Sequence, residues 1–252
     1  MYKRQVRIIT EEPCLDKKER FWCCAFTERQ WLSIAPSVGG LAFKWFITQF
    51  GKEEGEYDVW DRYAEGAPPG AEGLIFLPYL VGAMSPYWNP QARGAFLGLA
   101  LHHQRKHFAR AIIEGITYAR YAALRALEEV VGQTGSIRAT GGFIRCKTWL
   151  QIASDVFGRE LLVPDVPDTA AVGAALIAMV ALGQLTHLSD VEKIVRIKER
   201  YYPHPATHAL YMKLYKLFLR AYEAYANELF TLADLQEGNN HFSGIKGNDT
   251  GE

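Results

Sequence analysis

Two pairs of adjacent glycines stand where a turn leads into a predicted helix. Gly39-Gly40 precedes one apolar helical segment, and Gly141-Gly142 follows a strand-like segment. Glycine allows a ligand to approach the backbone closely, and the start of a helix presents unpaired N–H groups and a positive dipole end to a phosphate. Both turns are therefore candidate phosphate sites, and ordinary turn chemistry is the alternative for each.

Three more residues could contribute to such a site. Lys44 lies one turn into the helix predicted for residues 41–50, where its ammonium could reach a phosphate, although a lone surface lysine commonly has no specific role. Gly173 and Ala174 lie near the start of an alanine-rich helix predicted for residues 169–182. Small residues there allow close approach of a flat ring such as adenine, or of a neighbouring helix. The sequence leaves both alternatives open.

Other chemistries lose support from the spacing. Neither glycine pair completes the G-x-G-x-x-G fingerprint of a dinucleotide site or the Walker A loop of a P-loop protein. His102, His103 and His107 suggest a metal site only superficially, because no carboxylate accompanies them in the sequence, and surface or helix-start roles are favoured. No metal-binding residue is predicted.

The composition narrows the class of partner. Lys plus Arg and Asp plus Glu both number 28, so the formal net charge is zero and no field of one sign recruits nucleic acid or an anionic membrane. The longest weakly polar segment is shorter than the roughly 20 residues of a membrane span. The four cysteines lack metal spacing and no secretory leader is visible, so we expect a reduced, cytoplasmic protein. A small molecule or a protein is the expected partner.

The pattern of apolar residues predicts an α/β domain. Strands are predicted at residues 6–10, 20–27, 73–77, 94–99, 136–140 and 160–163, and helices at 41–50, 58–65, 104–133, 148–157, 169–182 and 206–232. The helix at 104–133 is the clearest, because its apolar residues recur at steps of three and four. The aromatic, proline-rich loop at 78–93 is either functional or packs over a sheet edge. The order of elements predicts a mixed sheet flanked by long helices.

Three segments, in this order along the chain, resemble the C-terminal domain of the FGGY carbohydrate kinase family. They read PYLVGAMSPYWNPQARGAFLGL from Pro78, ATGGFIRCKTWLQIASDVFGRELLVP from Ala139 and AAVGAALIA from Ala170. The Gly-Gly-Leu-Ala-Phe-Lys-Trp and Thr-Gly-Gly-Phe stretches look most like the gluconokinase-type members, with xylulokinase-like members next. The resemblance implies a ribonuclease-H-like (actin-like ATPase) domain that faces a cleft between two domains.

By resemblance, the intact kinase transfers the γ-phosphoryl group of ATP, with Mg²⁺, to a hydroxyl of a sugar or sugar acid. Gly141 and Gly142 would lie along the phosphates or the ribose of the nucleotide. Cys146 stands where relatives usually place Ser or Asn near the nucleotide. Gly40 and Lys44 match a loop and helix that approach the phosphates.

The resemblance also places Gly173 and Ala174 beside the adenine. It assigns no catalytic residue to this chain, because the family's general-base Asp and a Gly-Thr phosphate turn both precede the strand at residues 6–10. Where relatives commonly read Gly-Glu-Arg, this chain reads Gly82-Ala83-Met84, so two charges of the family are absent from that loop.

We therefore expect a fragment, with residues 1–5 a non-family start left by truncation, residues 6–236 the nucleotide-binding domain and residues 237–252 a flexible tail. The missing N-terminal domain is its expected partner, and the face that this domain would cover is expected to be partly apolar and to favour a homodimer. Without a base and an acceptor site the chain is expected to be inactive alone. The alternatives are a non-catalytic nucleotide-binding or regulatory domain derived from such a kinase, and a xylulokinase-type parent.

Overall fold

The computed structural model describes residues 5–27, 29–51, 57–166, 168–190 and 194–243. Residues 1–4 of the predicted start and 244–252 of the predicted tail lie outside these ranges. The strands are β1 (Gln5–Thr10), β2 (Trp22–Thr27), β3 (Gln30–Pro36), β4 (Ile75–Leu77), β5 (Ala95–Leu97), β6 (Ile137–Arg138), β7 (Leu161–Pro164) and β8 (Ile197–Tyr201). The α-helices are α1 (Gly40–Phe50), α2 (Tyr57–Glu65), α3 (Arg105–Val131), α4 (Lys147–Phe157), α5 (Thr169–Ala181), α6 (Pro205–Ala224) and α7 (Ala226–Ser243).

The strands are distributed over three sheets. In the first, β1, β3 and β2 lie side by side in that order and are antiparallel. The second is the antiparallel pair β4–β5, and the third is mixed, since β6 and β7 are parallel while β7 and β8 are antiparallel. The predicted α/β class is confirmed, with the mixed pairing confined to the third sheet. Because β6 has two residues and pairs only with β7 among the described strands, it does not extend the first sheet.

Helix α3 is the centre of the fold. Its 27 residues extend about 40 Å at 1.5 Å per residue. Ala123 and Leu127 of α3 pack with Phe21 and Ala35 beneath the first sheet. Gly115 passes so close to β4 that a Cβ would come within 2.1 Å of the Phe76 carbonyl oxygen. The glycine is therefore required for α3 to pack directly on that strand.

A buried polar network joins α3 to α6 and to the turn before β4. One oxygen of Glu114 accepts from Arg110 Nε at 2.8 Å and from the Tyr211 hydroxyl at 2.8 Å. The same oxygen accepts from the N–H of Gly70 at 2.9 Å, and Arg110 also donates to the Ala67 carbonyl at 2.8 Å. A buried ion pair is tolerated when its remaining donors and acceptors are satisfied in this way.

Three elements differ from the sequence prediction. β3 and β8 are not predicted; in β8 only the first and last residues are apolar, which is too weak a pattern to indicate a strand. The single helix predicted at 206–232 is interrupted at Tyr225, whose ψ of 6° is not helical. Helix α7 then continues to Ser243, so the flexible tail predicted from residue 237 is helical in its first part.

The loop at residues 78–93 packs against α6. The rings of Tyr79 and Tyr87 lie 4.9 and 4.3 Å from the ring of Tyr222. The Asn89 side-chain amide donates to the Tyr222 hydroxyl at 3.0 Å. These contacts correspond to the packing alternative for the loop.

Candidate functional site

One tryptophan joins the two glycine turns. The ring of Trp149, near the start of α4, lies 5.3 Å from the ring of Phe43 and 5.7 Å from that of Phe143. Phe43 is one helical turn beyond Gly40, and Phe143 directly follows Gly142. The structure therefore brings the start of α1 and the Gly141-Gly142 turn to one aromatic cluster, although they are a hundred residues apart in the sequence.

The Gly141-Gly142 turn presents backbone donors. Gly141 has a φ of +96°, which residues with a side chain rarely adopt. At Gly142 a Cβ would meet nothing within 4 Å, so packing does not require glycine there. Both glycines are exposed, and neither N–H has a hydrogen-bond partner in the part of the chain that the structure describes. The turn can therefore donate to an incoming acceptor.

The start of α1 is also open. Its N-cap residue Gly39 forms no side-chain capping bond, and a Cβ at Gly40 would meet nothing within 4 Å. Lys44 is exposed, and its ammonium has no ion-pair or hydrogen-bond partner among the residues described. The buried hydroxyl of Ser37, just before this turn, likewise has no partner within the described ranges. A helix N-terminus with a nearby unpaired cation favours an anion.

Cationic side chains accompany the second turn. The Arg120 guanidinium carbon lies 4.8 Å from the ring centre of Phe143 and 5.4 Å from that of Trp149. Arg145 and Lys147 are exposed, and neither side chain has an ion-pair or hydrogen-bond partner within the described ranges. Together with Lys44, Arg145 and Lys147 are cations available to balance the charge of a phosphate.

Asp61 occupies hydrogen-bond donors at the start of α4 that the sequence suggests are open. The sequence suggests that the helix after Gly141-Gly142 offers its own N–H groups to a phosphate, but Asp61 Oδ2 already accepts from the N–H of Thr148 at 3.2 Å. Burial raises the pKa of Asp61, while its hydrogen bonds to α4 oppose that effect. Asp61 therefore occupies the N–H groups of Thr148 and Trp149, whereas those of the glycine turn remain open.

Cys146 is placed differently from the other predicted residues. It is the N-cap of α4, and its side chain is 1% exposed and belongs to the main core. Its N–H donates to the Phe143 carbonyl and its carbonyl accepts from the N–H of Leu150, both at 3.0 Å, so in this conformation neither the thiol nor the backbone of Cys146 is open to a ligand.

Gly173 and Ala174 lie on a helix that is nearly unpartnered. Asp168 caps α5 by accepting from the N–H groups of Ala170 and Ala171 at 2.8 and 3.2 Å. Within α5 only Leu176 is buried, and no α5 residue belongs to any of the three core clusters. The structure thus does not pack Gly173 and Ala174 onto the aromatic cluster that joins the other two turns.

Two other findings bear on the site. A cavity of about 580 Å³ between residues 14–23 and 86–88 is lined by none of the predicted site residues. No helix in the described ranges is both long enough and apolar enough to cross a bilayer. The first finding places this cavity away from the glycine turns.

Sequence reasoning missed the residues that hold the turns in place. Thr117, Arg120 and Asp61 come from α3 and α2, and none of them belongs to a motif near the glycines. The only sequence pattern that could have indicated these residues is the apolar stripe of α3, because Thr117 and Arg120 lie at its edges.

The chain matches known proteins over most of its length. The profile of the FGGY family of carbohydrate kinases, C-terminal domain, matches residues 8–182. A gluconokinase of Bacillus licheniformis is 35% identical over 242 residues, which are 92% of this chain and 47% of that protein. Structures of a ligand-bound xylulose kinase and a gluconate kinase, both from Lactobacillus acidophilus, superpose with TM-scores of 0.82 and 0.81 at 32% identity and cover 88% of this chain and 45% of each solved chain. The superpositions confirm the predicted fold, and the chain spans about half the length of these relatives.

Proposed function

We propose that this chain, which belongs to the FGGY family of carbohydrate kinases, supplies the nucleotide-binding half of an ATP-dependent kinase for a sugar or sugar acid. The chain represents the C-terminal domain of that family. The observation that carries this proposal is the aromatic cluster around Trp149, which holds two open glycine turns together. Two sets of free backbone donors beside unpaired cations form a cradle for a polyphosphate.

Each residue of the cradle has a proposed task. The N–H groups of Gly141 and Gly142 donate to phosphate oxygens, and the open space at Gly142 admits them without a clash. Lys44 and Arg145 balance the phosphate charge, since both are exposed and neither has a partner in the described part of the chain. Arg120 acts indirectly, because its guanidinium covers the ring of Phe143 and fixes the turn. Bound ATP would supply the transferable γ-phosphoryl group.

Mg²⁺ would reach this site with the nucleotide. The described residues contain no group of three or more histidine, cysteine or acidic side chains arranged to hold a metal ion. Mg²⁺ in such enzymes is commonly bound by substrate phosphates with one or two carboxylates. We therefore assign it no ligand in this chain.

Helix α5 is proposed to face the other half of the kinase, with Gly173 and Ala174 near the adenine. The helix is uncharged, exposes Ile177 by 57%, is followed by the C-cap residue Leu182 at 74% exposure, and buries only Leu176 among its own residues. Apolar surface of this kind marks a contact with another polypeptide. The relatives carry as much sequence again beyond the part that this chain matches.

We propose that the chain does not turn over alone. Phosphoryl transfer depends on aligning the acceptor hydroxyl with the γ-phosphoryl group and on a base that takes the hydroxyl proton. Loss of that alignment removes an effective molarity worth roughly 7–11 kcal/mol of barrier. The acceptor class is a sugar acid by similarity to gluconokinase, and a ketose is the second candidate because a xylulose kinase superposes equally well.

The test of nucleotide binding uses two matched glycines. Calorimetric titration of ATP with Mg²⁺ into the 252-residue chain is expected to show binding, and Gly142→Ala to raise the Kd about tenfold, or 1.4 kcal/mol. Gly135→Ala is the control, because Gly135 is also exposed with open space for a Cβ. Equal Kd values for both variants and the wild type would remove the Gly142 turn from the site.

Turnover is tested separately. The chain with ATP and gluconate or xylulose is expected to release no ADP, whereas a fusion to the half of Bacillus licheniformis gluconokinase that it does not match is expected to phosphorylate gluconate in preference to xylulose. A fusion that binds ATP and stays inactive would favour a non-catalytic nucleotide-binding domain. Turnover by the chain alone would contradict the proposed division of labour.

A further inference from the structure

Two histidines fasten the start of α3 by accepting backbone hydrogen bonds. His107 Nδ1 accepts from the N–H of Gln104 at 2.8 Å, and His103 Nδ1 accepts from the N–H of Ala100 at 2.9 Å. Gln104 is the N-cap of α3, and its main-chain carbonyl accepts from the N–H of His107 at 2.8 Å. His107 occupies the third helical position, which glutamate or glutamine usually holds in a capping box, and its side chain caps the N–H of Gln104.

The capping bond requires a neutral imidazole. A nitrogen that accepts a hydrogen bond carries no proton, so the proton of neutral His107 must be on Nε2. The imidazolium ion has two N–H donors and no acceptor, and protonation of His107 therefore breaks the bond from Gln104. It also places a positive charge at the positive end of the helix dipole.

The surroundings of His107 on balance oppose protonation. The ring is 2% exposed, and Nε2 has no hydrogen-bond partner in the described part of the chain. Burial lowers the pKa of His107, Glu72 at 3.7 Å from Nε2 opposes this, and Lys106, His103 and His102 lower it further. The rings of His103 and His102 lie 5.4 and 6.4 Å away, centre to centre.

We infer that His107 is a proton-sensitive cap that holds the first turn of α3 at neutral pH and releases it in acid. In the unfolded chain a histidine has a pKa of about 6.5. Because the folded value is lower, the unfolded chain takes up this proton first as the pH falls. The stability that His107 contributes is thus fully present above about pH 6.5 and is lost as the pH falls toward the folded-state pKa.

The test replaces His107 with a residue that caps without titrating. His107→Gln keeps an acceptor in the capping box. In urea titrations of the full chain between pH 6.5 and 5.5, the unfolding constant of the wild type is expected to rise by up to about tenfold more than that of the variant. His187→Gln is the matched control, because His187 is exposed and lies outside both the capping box and the cluster of Glu72 with the histidines at 102, 103 and 107, and it is expected to retain the wild-type response.

Two independent readouts can overturn the inference. Hydrogen exchange of the N–H groups in the first turn of α3 is expected to accelerate in acid in the wild type and not in His107→Gln. NMR titration of wild-type His107 is expected to give a pKa below 6.5 with the neutral proton on Nε2. A pKa of 6.5 or above, or equal pH responses of the two chains, contradicts the proton-sensitive cap. If the variant does not fold, the wild-type titration alone decides.

Discussion

The indole N–H of Trp149 donates to the hydroxyl of Thr117 at 3.1 Å, and that hydroxyl donates onward to the carbonyl of Ile113 at 2.7 Å. Trp149 and Thr117 are 2% and 1% exposed, so both bonds are shielded from water. Through them α3 fixes the ring that contacts Phe43 and Phe143. The central helix therefore positions the candidate nucleotide site from behind.

Thr117→Val is expected to loosen that site. Valine keeps the shape but leaves the buried indole N–H without an acceptor, which costs about 1–3 kcal/mol. We expect urea denaturation to show this loss, and calorimetry to show weaker ATP binding because the Trp149 ring is no longer fixed. Thr231→Val is the control, since Thr231 is exposed and bonds only to the carbonyl four residues earlier. If the Thr117→Val chain is destabilised but binds ATP with unchanged affinity, the position of the Trp149 ring does not affect nucleotide binding.

Much of the fold is predictable from the sequence, and α3 shows why. Its long run of apolar residues at steps of three and four predicts both the helix and its burial, and the structure agrees within two residues at each end. The glycine turns are predictable because glycine is favoured where the chain must adopt a positive φ in a tight turn, as at Gly141.

The parts that the sequence does not predict depend on contacts between distant residues. Asp61 occupies the start of α4 from a position 87 residues earlier in the chain, and nothing local to either segment indicates this. Glu72 reaches the histidines at residues 102–107 in the same way, so the sequence shows no carboxylate beside them. β8 is recognisable only through its pairing with β7.

Substitutions in the buried network of α3 are expected to differ in cost. Glu114→Gln leaves Arg110 as an uncompensated buried charge and is expected to lower the free energy of unfolding by about 3–5 kcal/mol. Tyr211→Phe removes a hydroxyl that donates to Glu114 and accepts from Arg110 but leaves the ion pair in place, and it is expected to cost about 1.5–3 kcal/mol. Tyr225→Phe is the control, because Tyr225 is 47% exposed. Equal losses for Glu114→Gln and Tyr211→Phe in urea denaturation would show that the charge itself contributes nothing.

The ion pair between Glu128 and Arg159 is expected to make the protein sensitive to acid. Burial opposes ionisation of Glu128, but hydrogen bonds from Arg159 and Thr134 outweigh it and lower the pKa of Glu128. A free glutamate has a pKa of about 4.3, so this stabilisation is present above that pH and is lost as the pH falls through the lower folded value.

Replacement of Arg159 tests this pH dependence. Arg159→Met is expected to lower the free energy of unfolding by about 3–5 kcal/mol at pH 7, and the deficit relative to the wild type should shrink between pH 5 and pH 3. Arg125→Met is the control, because Arg125 approaches the same carboxylate only to 3.7 Å and is 48% exposed. A deficit that is constant with pH would mean that Arg159 acts through packing alone.

The exposed surface of α5 is expected to drive self-association of the isolated chain. Ile177 is 57% exposed on this helix, which has no charged residue, and Leu182 at its C-cap is 74% exposed. Burial of apolar area contributes about 25 cal/mol per Å². Sedimentation equilibrium of the wild type is expected to show a mass that rises with concentration, and Ile177→Glu to weaken the association at least tenfold, or about 1.4 kcal/mol.

Leu210→Glu on α6 is the control, because Leu210 is also exposed, by 39%, but lies on another helix. If the same face contacts the other half of the kinase, the fusion described above should be monomeric without any substitution. A wild-type chain that stays monomeric, or equal weakening by both variants, would show that α5 is not the interface.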